Sequence, residues 1–297
     1  MLNAYIYDGL RTPIGRHGGA LSTIRPDDLA GLVIQRLIEK TGLSGHEIED
    51  VILGNTNQAG EDSRNVARHA ALLAGLPVTV PAQTVNRLCA SGLGAIIDCA
   101  RAITCGEGEF YIAGGVESMT RAPFVMAKAE GAFSREIKVF DTTIGSRFPN
   151  KKITEQYGAH SMPETGDNVA VKFGIRREEA DLFAAHSQAK YQKAKEAGFF
   201  DNEITPIEVS QGKKLPPKLV QEDEHPRASS TLEALARLKP LFEGGVVTAG
   251  NASGINDGAA ALLIGSETAG EKYGLKPMAK ILAAAAAGIE PNIMGAG

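Results

Sequence analysis

An α/β layered domain interrupted by a long polar insertion is the fold that the sequence predicts, on three observations. Short apolar runs alternate with helical patterns over the first 119 residues, the signature of stacked sheet and helix layers. The same texture returns after about residue 247, and between the two stretches the chain is polar and turn-rich. With 43% hydrophobic and 22% charged residues, a chain of 297 residues is long enough for one large domain or two ordinary ones.

The elements follow in order. Ala4 to Tyr7 reads as a first strand. Asp27 to Lys40 reads as a helix, because Leu29, Leu32, Val33 and Leu37 make an apolar stripe that Ile34 and Ile38 broaden. Val51 to Leu53 is a second strand ending at Gly54. Asn65 to Ala74 is a helix closed by Gly75 and Pro77, stop signals in the usual order. Thr84-Val85 leads into Cys89, and the helix after it places Leu93, Ile96, Ile97, Ala100 and Thr104 on one predicted apolar face. Phe110 to Ala113 is a strand expected to stop at Gly114-Gly115. Within the polar stretch one strong helix is expected from Arg176 to Ala197, and Lys213 to Lys218 is a loop. Gly258 to Ile264 restores the layered pattern, Ser266 to Tyr273 is a helix, and Met278 to Ala285 is a last strand-like run.

Lys plus Arg number 31 against 35 Asp plus Glu, a net charge of −4. That balance gives no general attraction to nucleic acid or anionic membrane, so an anionic ligand needs a local basic site. Met1 to Tyr7 is too short and polar for a signal core, and no apolar run is expected to span a bilayer, which makes the cytosol the default location. Three cysteines argue against a disulfide framework. The six histidines, His17, His46, His69, His160, His186 and His225, are scattered without metal-ligand spacing, so no metal site is predicted.

Cys89 lies in Asn86-Arg87-Leu88-Cys89-Ala90-Ser91-Gly92, between a strand and an amphipathic helix. A side chain on such a turn is near the positive end of the helix dipole and near free backbone N–H groups. Both favour thiolate, the nucleophilic form, and the N–H groups could hold an oxyanion at an attacked carbonyl. Ala90, Ser91 and Gly92 are small enough for an extended substrate to approach. A free cysteine is also commonly a small buried hydrophobe, and Cys99 and Cys105 read as that kind.

The segment Asn86 to Gly92 resembles the acyl-acceptor motif of the thiolase family. Arg11-Thr12-Pro13-Ile14-Gly15, Gly54 to Gly60, Gly114-Gly115-Val116-Glu117-Ser118-Met119 and Thr248 to Ala260 are similar to further motifs of that family, in family order. Five motifs in sequence are specific where any one is weak. The resemblance implies a layered thiolase-like core with an inserted loop domain. It gives residues 1–119 and 247–275 as the N-terminal core, 120–246 as the coenzyme A-binding loop domain, and 276–297 as the start of a second core domain that is largely missing. It also implies the chemistry: Cys89 takes an acyl group from coenzyme A, which then condenses with acetyl-CoA, or in reverse a 3-oxoacyl-CoA is cleaved. Coenzyme A is substrate and product, no separate cofactor is called for, and the family forms homo-oligomers.

Three binding residues carry over. Arg227, in Asp223-Glu224-His225-Pro226-Arg227, matches a family arginine that contacts the nucleotide end of coenzyme A, where a guanidinium suits phosphates and a flat base. Its bland reading is a surface arginine near Glu224. Ser253 matches the serine that hydrogen-bonds the pantetheine arm, and is otherwise a turn serine among glycines. Met162 matches a position lining the acyl pocket, and is otherwise a gap-filling methionine. Ser161 stands where many family members have His. The Gly145 to Pro149 and Met162 to Thr165 stretches are similar to the acetyl-CoA acetyltransferase and 3-oxoadipyl-CoA thiolase branch.

The family's Asn-Glu-Ala-Phe segment, its His-Pro-x-Gly histidine and its second catalytic cysteine have no match in these 297 residues. The resemblance gives that histidine and cysteine the acid–base work, so this polypeptide is expected to turn over slowly by itself. Residues 278–285 are expected to lie at an open sheet edge, disordered or paired with another chain. Two other classes compete: a condensing enzyme acting on acyl carrier protein, which the Gly250 to Ala260 and Arg227 motifs disfavour, and a coenzyme A-binding or assembly module without turnover.

Overall fold

A computed structural model describes residues 1–297. In chain order its strands are β1 (Ala4–Arg11), β2 (Gly15–Arg16), β3 (Ile48–Gly54), β4 (Ala82–Val85), β5 (Phe110–Ser118), β6 (Phe124–Met126), β7 (Val139–Asp141), β8 (Ile207–Val209), β9 (Lys218–Val220), β10 (Asn256–Gly265) and β11 (Ala279–Ile281). The helices are α1 (Pro26–Thr41), α2 (Val66–Leu73), α3 (Ser91–Cys105), α4 (Lys151–Tyr157), α5 (Met162–Phe173), α6 (Arg177–Glu196), α7 (Leu232–Ala236) and α8 (Glu267–Tyr273). Two compact units result: residues 1–123, 201–224 and 255–284, and residues 124–200, 225–254 and 285–297.

The first unit is built on a mixed sheet in the order β11-β1-β10-β5-β3-β4, with β2 pairing β10. β3 runs parallel to both β4 and β5, whereas β10 runs antiparallel to β5 and β1. Alternation along the strands sends successive side chains to opposite faces. On one face Val51, Leu53, Ile112, Val116 and Leu263 meet Leu29, Val33, Ile34 and Leu37 of α1 and Val66, Ala67 and Ala70 of α2. On the other, Ile52, Tyr111, Ala113 and Ile264 meet Ala95, Cys99, Ala100 and Ile103 of α3.

Local signals account for the helix ends. Pro26 occupies the first turn of α1 with Asp27 and Asp28, and Gly42 closes it at φ 69°. Asn65 caps α2, its Oδ1 accepting from Arg68 N at 3.3 Å, and its Nδ2 donates to the carbonyl of Ala82 on β4.

Several expectations change. Gly114-Gly115 does not end its strand: β5 runs on to Ser118, with the two glycines opposite Ala261 and Ala260 of β10 and Leu53 and Gly54 of β3. Glycine is tolerated there because ladder pairing on both sides holds the backbone. The apolar face of α3 is also rotated. Ile97 and Ala100 are buried and Ile96 packs against the core as expected, but Leu93 is 61% exposed and Thr104 is exposed, and Ala95, Cys99 and Ile103 complete the buried side. Cys99 packs as expected, but Cys105 is exposed. The window Leu88–Cys105 has the length and apolar composition of a membrane span, contrary to expectation. Its helical part is fifteen residues, and its apolar side lies against the sheet.

Residues 201–224, expected within the inserted segment, pack with the first unit. Arg11 N donates to Glu203 O at 2.8 Å, Thr205 N donates to Arg11 O at 2.8 Å, and the Arg11 guanidinium grips Asp223 through two hydrogen bonds of 2.7 and 3.0 Å. Residues 276–284, expected to open a second core domain, also fall in the first unit. There β11 spans only Ala279–Ile281 rather than 278–285 and pairs antiparallel with Ala4 to Ile6 at the sheet edge.

The second unit contains α4 to α7 and the β6–β7 hairpin, with α6 as its longest helix. Asp181, 4% exposed on α6, accepts from Arg177 Nε at 2.8 Å and from Asn251 Nδ2 at 2.9 Å, so one carboxylate fixes both the helix and the Thr248 to Gly254 turn. His186 and Lys190 lie exposed on the same helix, as their spacing suggested.

Candidate active site

Cys89 sits on the turn between β4 and α3, exposed to solvent. Its turn is strained at one point. Leu88 has φ 49°, in the left-handed region that side chains other than glycine, asparagine and aspartate rarely enter. Two side chains hold it there through three hydrogen bonds. Asn86 Oδ1 accepts from Leu88 N at 2.9 Å, and Ser91 Oγ accepts from Arg87 N at 2.7 Å while donating to Leu88 O at 2.5 Å. Ser91 was read from sequence only as a small residue. In the fold it is 3% exposed and bridges both sides of the residue that precedes the nucleophile. A serine at the start of a helix is a hydrogen-bonding position, and that was the available signal.

No side chain caps α3 at Ala90. First-turn N–H groups of an uncapped helix are available to a ligand, and the positive end of the helix faces the same way. The helix start is seated by Gly54 at the end of β3. A Cβ there would fall 2.4 Å from the carbonyl carbon of Ser91 and 2.5 Å from Gly92 N, so only glycine lets the strand end and the helix start approach this closely.

The other three predicted residues lie in the second unit. Arg227 is exposed, and its backbone N–H donates to Gln188 Oε1 of α6 at 2.7 Å. That exposure fits its bland reading as a surface arginine, but Glu224 is not its partner. Glu224 accepts instead from Arg16 N at 3.0 Å and Ala20 N at 2.9 Å in the first unit, leaving the Arg227 guanidinium without an ion pair. Ser253 is exposed at the end of the turn that Asn251 organises, where Thr248 N donates to Asn251 Oδ1 at 2.7 Å. The segments of Arg227 and Ser253 meet, since the His225 ring lies against Gly254 so closely that a Cβ would be 1.9 Å from its Cε1. Met162 opens α5 and is 59% exposed, so it is not a core filler. Ser161 before it is the helix N-cap, with its N–H donating to Glu164 Oε2 at 2.6 Å. Farther along α5, Asp167 Oδ1 accepts from Val246 N and Val247 N at 2.7 and 2.9 Å, which ties the Met162 helix to the strand of chain entering the Ser253 turn.

Residues 4–268 match the family model described as thiolase, N-terminal domain. The β-ketoadipyl-CoA thiolase of Acinetobacter baylyi is 55% identical over 297 residues, covering 99% of this chain and 74% of that protein. Among solved structures, the acetyl-CoA acetyltransferase of Bacillus anthracis superposes with a TM-score of 0.90 at 39% identity, over 99% of this chain and 73% of that one. Human mitochondrial 3-ketoacyl-CoA thiolase in complex with CoA superposes with a TM-score of 0.88 at 36% identity, over 99% and 72%.

Proposed function

The chain belongs to the thiolase family, and from that premise we propose that Cys89 accepts an acyl group from a β-ketoadipyl-type 3-oxoacyl-CoA. In the cleavage direction the Cys89 sulfur attacks the 3-oxo carbon. The bond between carbons 2 and 3 breaks, and its electrons leave on carbon 2, which takes a proton to become acetyl-CoA. The thiol of a second coenzyme A then displaces the acyl group from sulfur. In the synthetic direction the same steps run backwards from acyl-CoA and acetyl-CoA. The observation that carries this reading is the exposed Cys89 held on a strained, hydrogen-bonded turn at the start of an uncapped helix. The acyl class is supported by the 55% identity to a β-ketoadipyl-CoA thiolase, against 45% to the acetyl-CoA acetyltransferase of Pseudomonas aeruginosa.

In this proposal Arg227 meets the phosphates of coenzyme A with its unpaired guanidinium, Ser253 hydrogen-bonds the pantetheine arm, and Met162 lines the acyl pocket. The meeting of the Arg227 and Ser253 segments at His225 and Gly254 supports a common role for the first two. A second reading is binding of coenzyme A without transfer, which the CoA complex of a thiolase 36% identical to this chain supports. Mass spectrometry after exposure to succinyl-CoA or acetyl-CoA decides between them. An acyl adduct on Cys89 supports transfer, and saturable coenzyme A binding without an adduct selects the module.

A cytosolic location and a homo-oligomeric state are further proposals. The open edge of β4, together with exposed Leu72, Leu73, Val78, Leu88 and Leu93, supports the second, and sedimentation of the purified chain tests it.

A further inference from the structure

Glu117, near the end of β5, has an environment that packing does not explain. It is partly buried, and no lysine, arginine or histidine pairs with it. Both its oxygens instead serve one short segment. Oε2 accepts from Thr56 N at 2.8 Å and Thr56 Oγ1 at 2.7 Å, and Oε1 accepts from Asn57 N at 3.1 Å. Burial and the nearby Asp62 push its carboxyl pKa upward, against those three hydrogen bonds. A carboxylate kept in such a place without a counter-charge costs stability, so its hydrogen-bonding role is the feature that needs an account.

The role becomes visible on following the amides. The Asn57 N–H bound by Glu117 belongs to the same planar peptide unit as the Thr56 carbonyl, which points the opposite way. That carbonyl accepts from Asn86 Nδ2 at 3.2 Å. Asn86 Oδ1 accepts from Leu88 N at 2.9 Å, and the carbonyl of that peptide unit, Arg87 O, accepts from Ala90 N at 3.1 Å. The Ala90 N–H shares its peptide unit with the Cys89 carbonyl. A continuous run of amides thus joins the Glu117 carboxylate to the backbone of Cys89, every dipole pointing the same way, so that each link polarises the next.

We propose that Glu117 is a positioning residue for Cys89, acting through Thr56, Asn57 and Asn86 to hold the nucleophile turn, Leu88 included, in its strained form. This deepens the acyl-transfer reading and depends on it for its use. A carboxylate suits the place because two adjacent N–H donors and a hydroxyl need acceptors on both oxygens, whereas glutamine offers only one.

The test is alkylation of the folded chain by iodoacetamide, read by peptide mass spectrometry as the rate at Cys89 relative to Cys105. Both thiols are exposed and sit at opposite ends of α3, so Cys105 is an internal reference. Glu117→Gln and Asn86→Ala are each expected to lower the ratio about tenfold. Because they break one run of bonds, the double variant should fall no further than the worse single variant, where independent effects would give about a hundredfold. Thr56→Val should lower the ratio and Thr56→Ser, which keeps the hydroxyl, should restore it. A Glu117→Gln ratio within about twofold of the parent, or a double variant at the product of the singles, overturns the proposal. Should Glu117→Gln fail to fold, Asn86→Ala carries the decision, since Asn86 is exposed, and an unchanged ratio there is equally fatal. Iodoacetamide needs no coenzyme A. A parent chain that forms no acyl adduct would sink the acyl-transfer reading, while the alkylation ratios would still judge the positioning role.

Discussion

Gly54→Ala is the perturbation whose outcome the geometry constrains most tightly. A Cβ at Gly54 would lie 2.4 Å from the Ser91 carbonyl carbon, 2.5 Å from Gly92 N and 2.6 Å from Ser91 Cβ. Ordinary contact begins near 3.4 Å, so the start of α3 must retreat by 3.4 − 2.4 = 1.0 Å. The obstructing atoms are mostly backbone, so no side chain can swing aside. Residue 54 does not have positive φ, and alanine therefore adds no backbone strain. Overpacking of this kind costs about 1–3 kcal/mol, or roughly 2–4 °C of melting temperature per kcal/mol in a unit of this size. The effect on chemistry is larger, because a displacement of about 1 Å at a reacting group can cost about 10²-fold. The assay is the rate of acyl-Cys89 formation from succinyl-CoA by intact mass, beside a thermal melt. Gly94→Ala is the control, since a Cβ there meets nothing within 4 Å. Acylation of Gly54→Ala within about threefold of the parent would refute the claim that this close approach sets the position of Cys89.

Asp223→Ala should destabilise the first unit by about 3 kcal/mol or more in urea unfolding, because it strips a bidentate partner from Arg11 where the two side chains are 6% and 18% exposed; a loss under about 1 kcal/mol would count against it. Glu61→Gln should lower the melting temperature most at neutral pH. Hydrogen bonds from Arg121, outweighing burial and helped by the Arg121 and Arg25 charges, hold the Glu61 carboxyl below its ordinary 4.5. A depressed folded pKa contributes stability that is present above 4.5 and is lost as pH falls through the folded value. The gap between parent and variant should therefore close in acid, and a gap that widens there would contradict the sign. Gly254→Ala should weaken coenzyme A binding by about tenfold or more in calorimetry, since the new Cβ must displace His225 and with it the Arg227 segment. Unchanged affinity would separate this contact from the cradle.

Much of the architecture was legible because its signals are local. The stripe of Leu29, Val33 and Leu37 and the stop at Gly75 and Pro77 depend on a few neighbouring residues. The acyl-acceptor motif around Cys89 could likewise be read in one line of sequence. Ser161 and Arg227 were visible as positions, but not the helix cap made by the first or the lack of an ion pair at the second.

What the sequence by itself determined is the alternation of layers, the nucleophile and its motif, and the family to which they belong. Tertiary structure decided the rest: that β5 runs through Gly114-Gly115, that α3 turns Leu93 to solvent, that 201–224 packs with the core through Arg11 and Asp223, and that Glu117 reaches the Cys89 turn through a run of amides. Each of these depends on groups brought together from distant points in the chain. Strand partners set which glycines stay extended, and the closeness of β3 to α3 sets where the nucleophile sits. Periodicity and spacing carry no record of such long-range contacts, because a residue's propensity reflects its own neighbours while its hydrogen-bond partner is chosen by the fold.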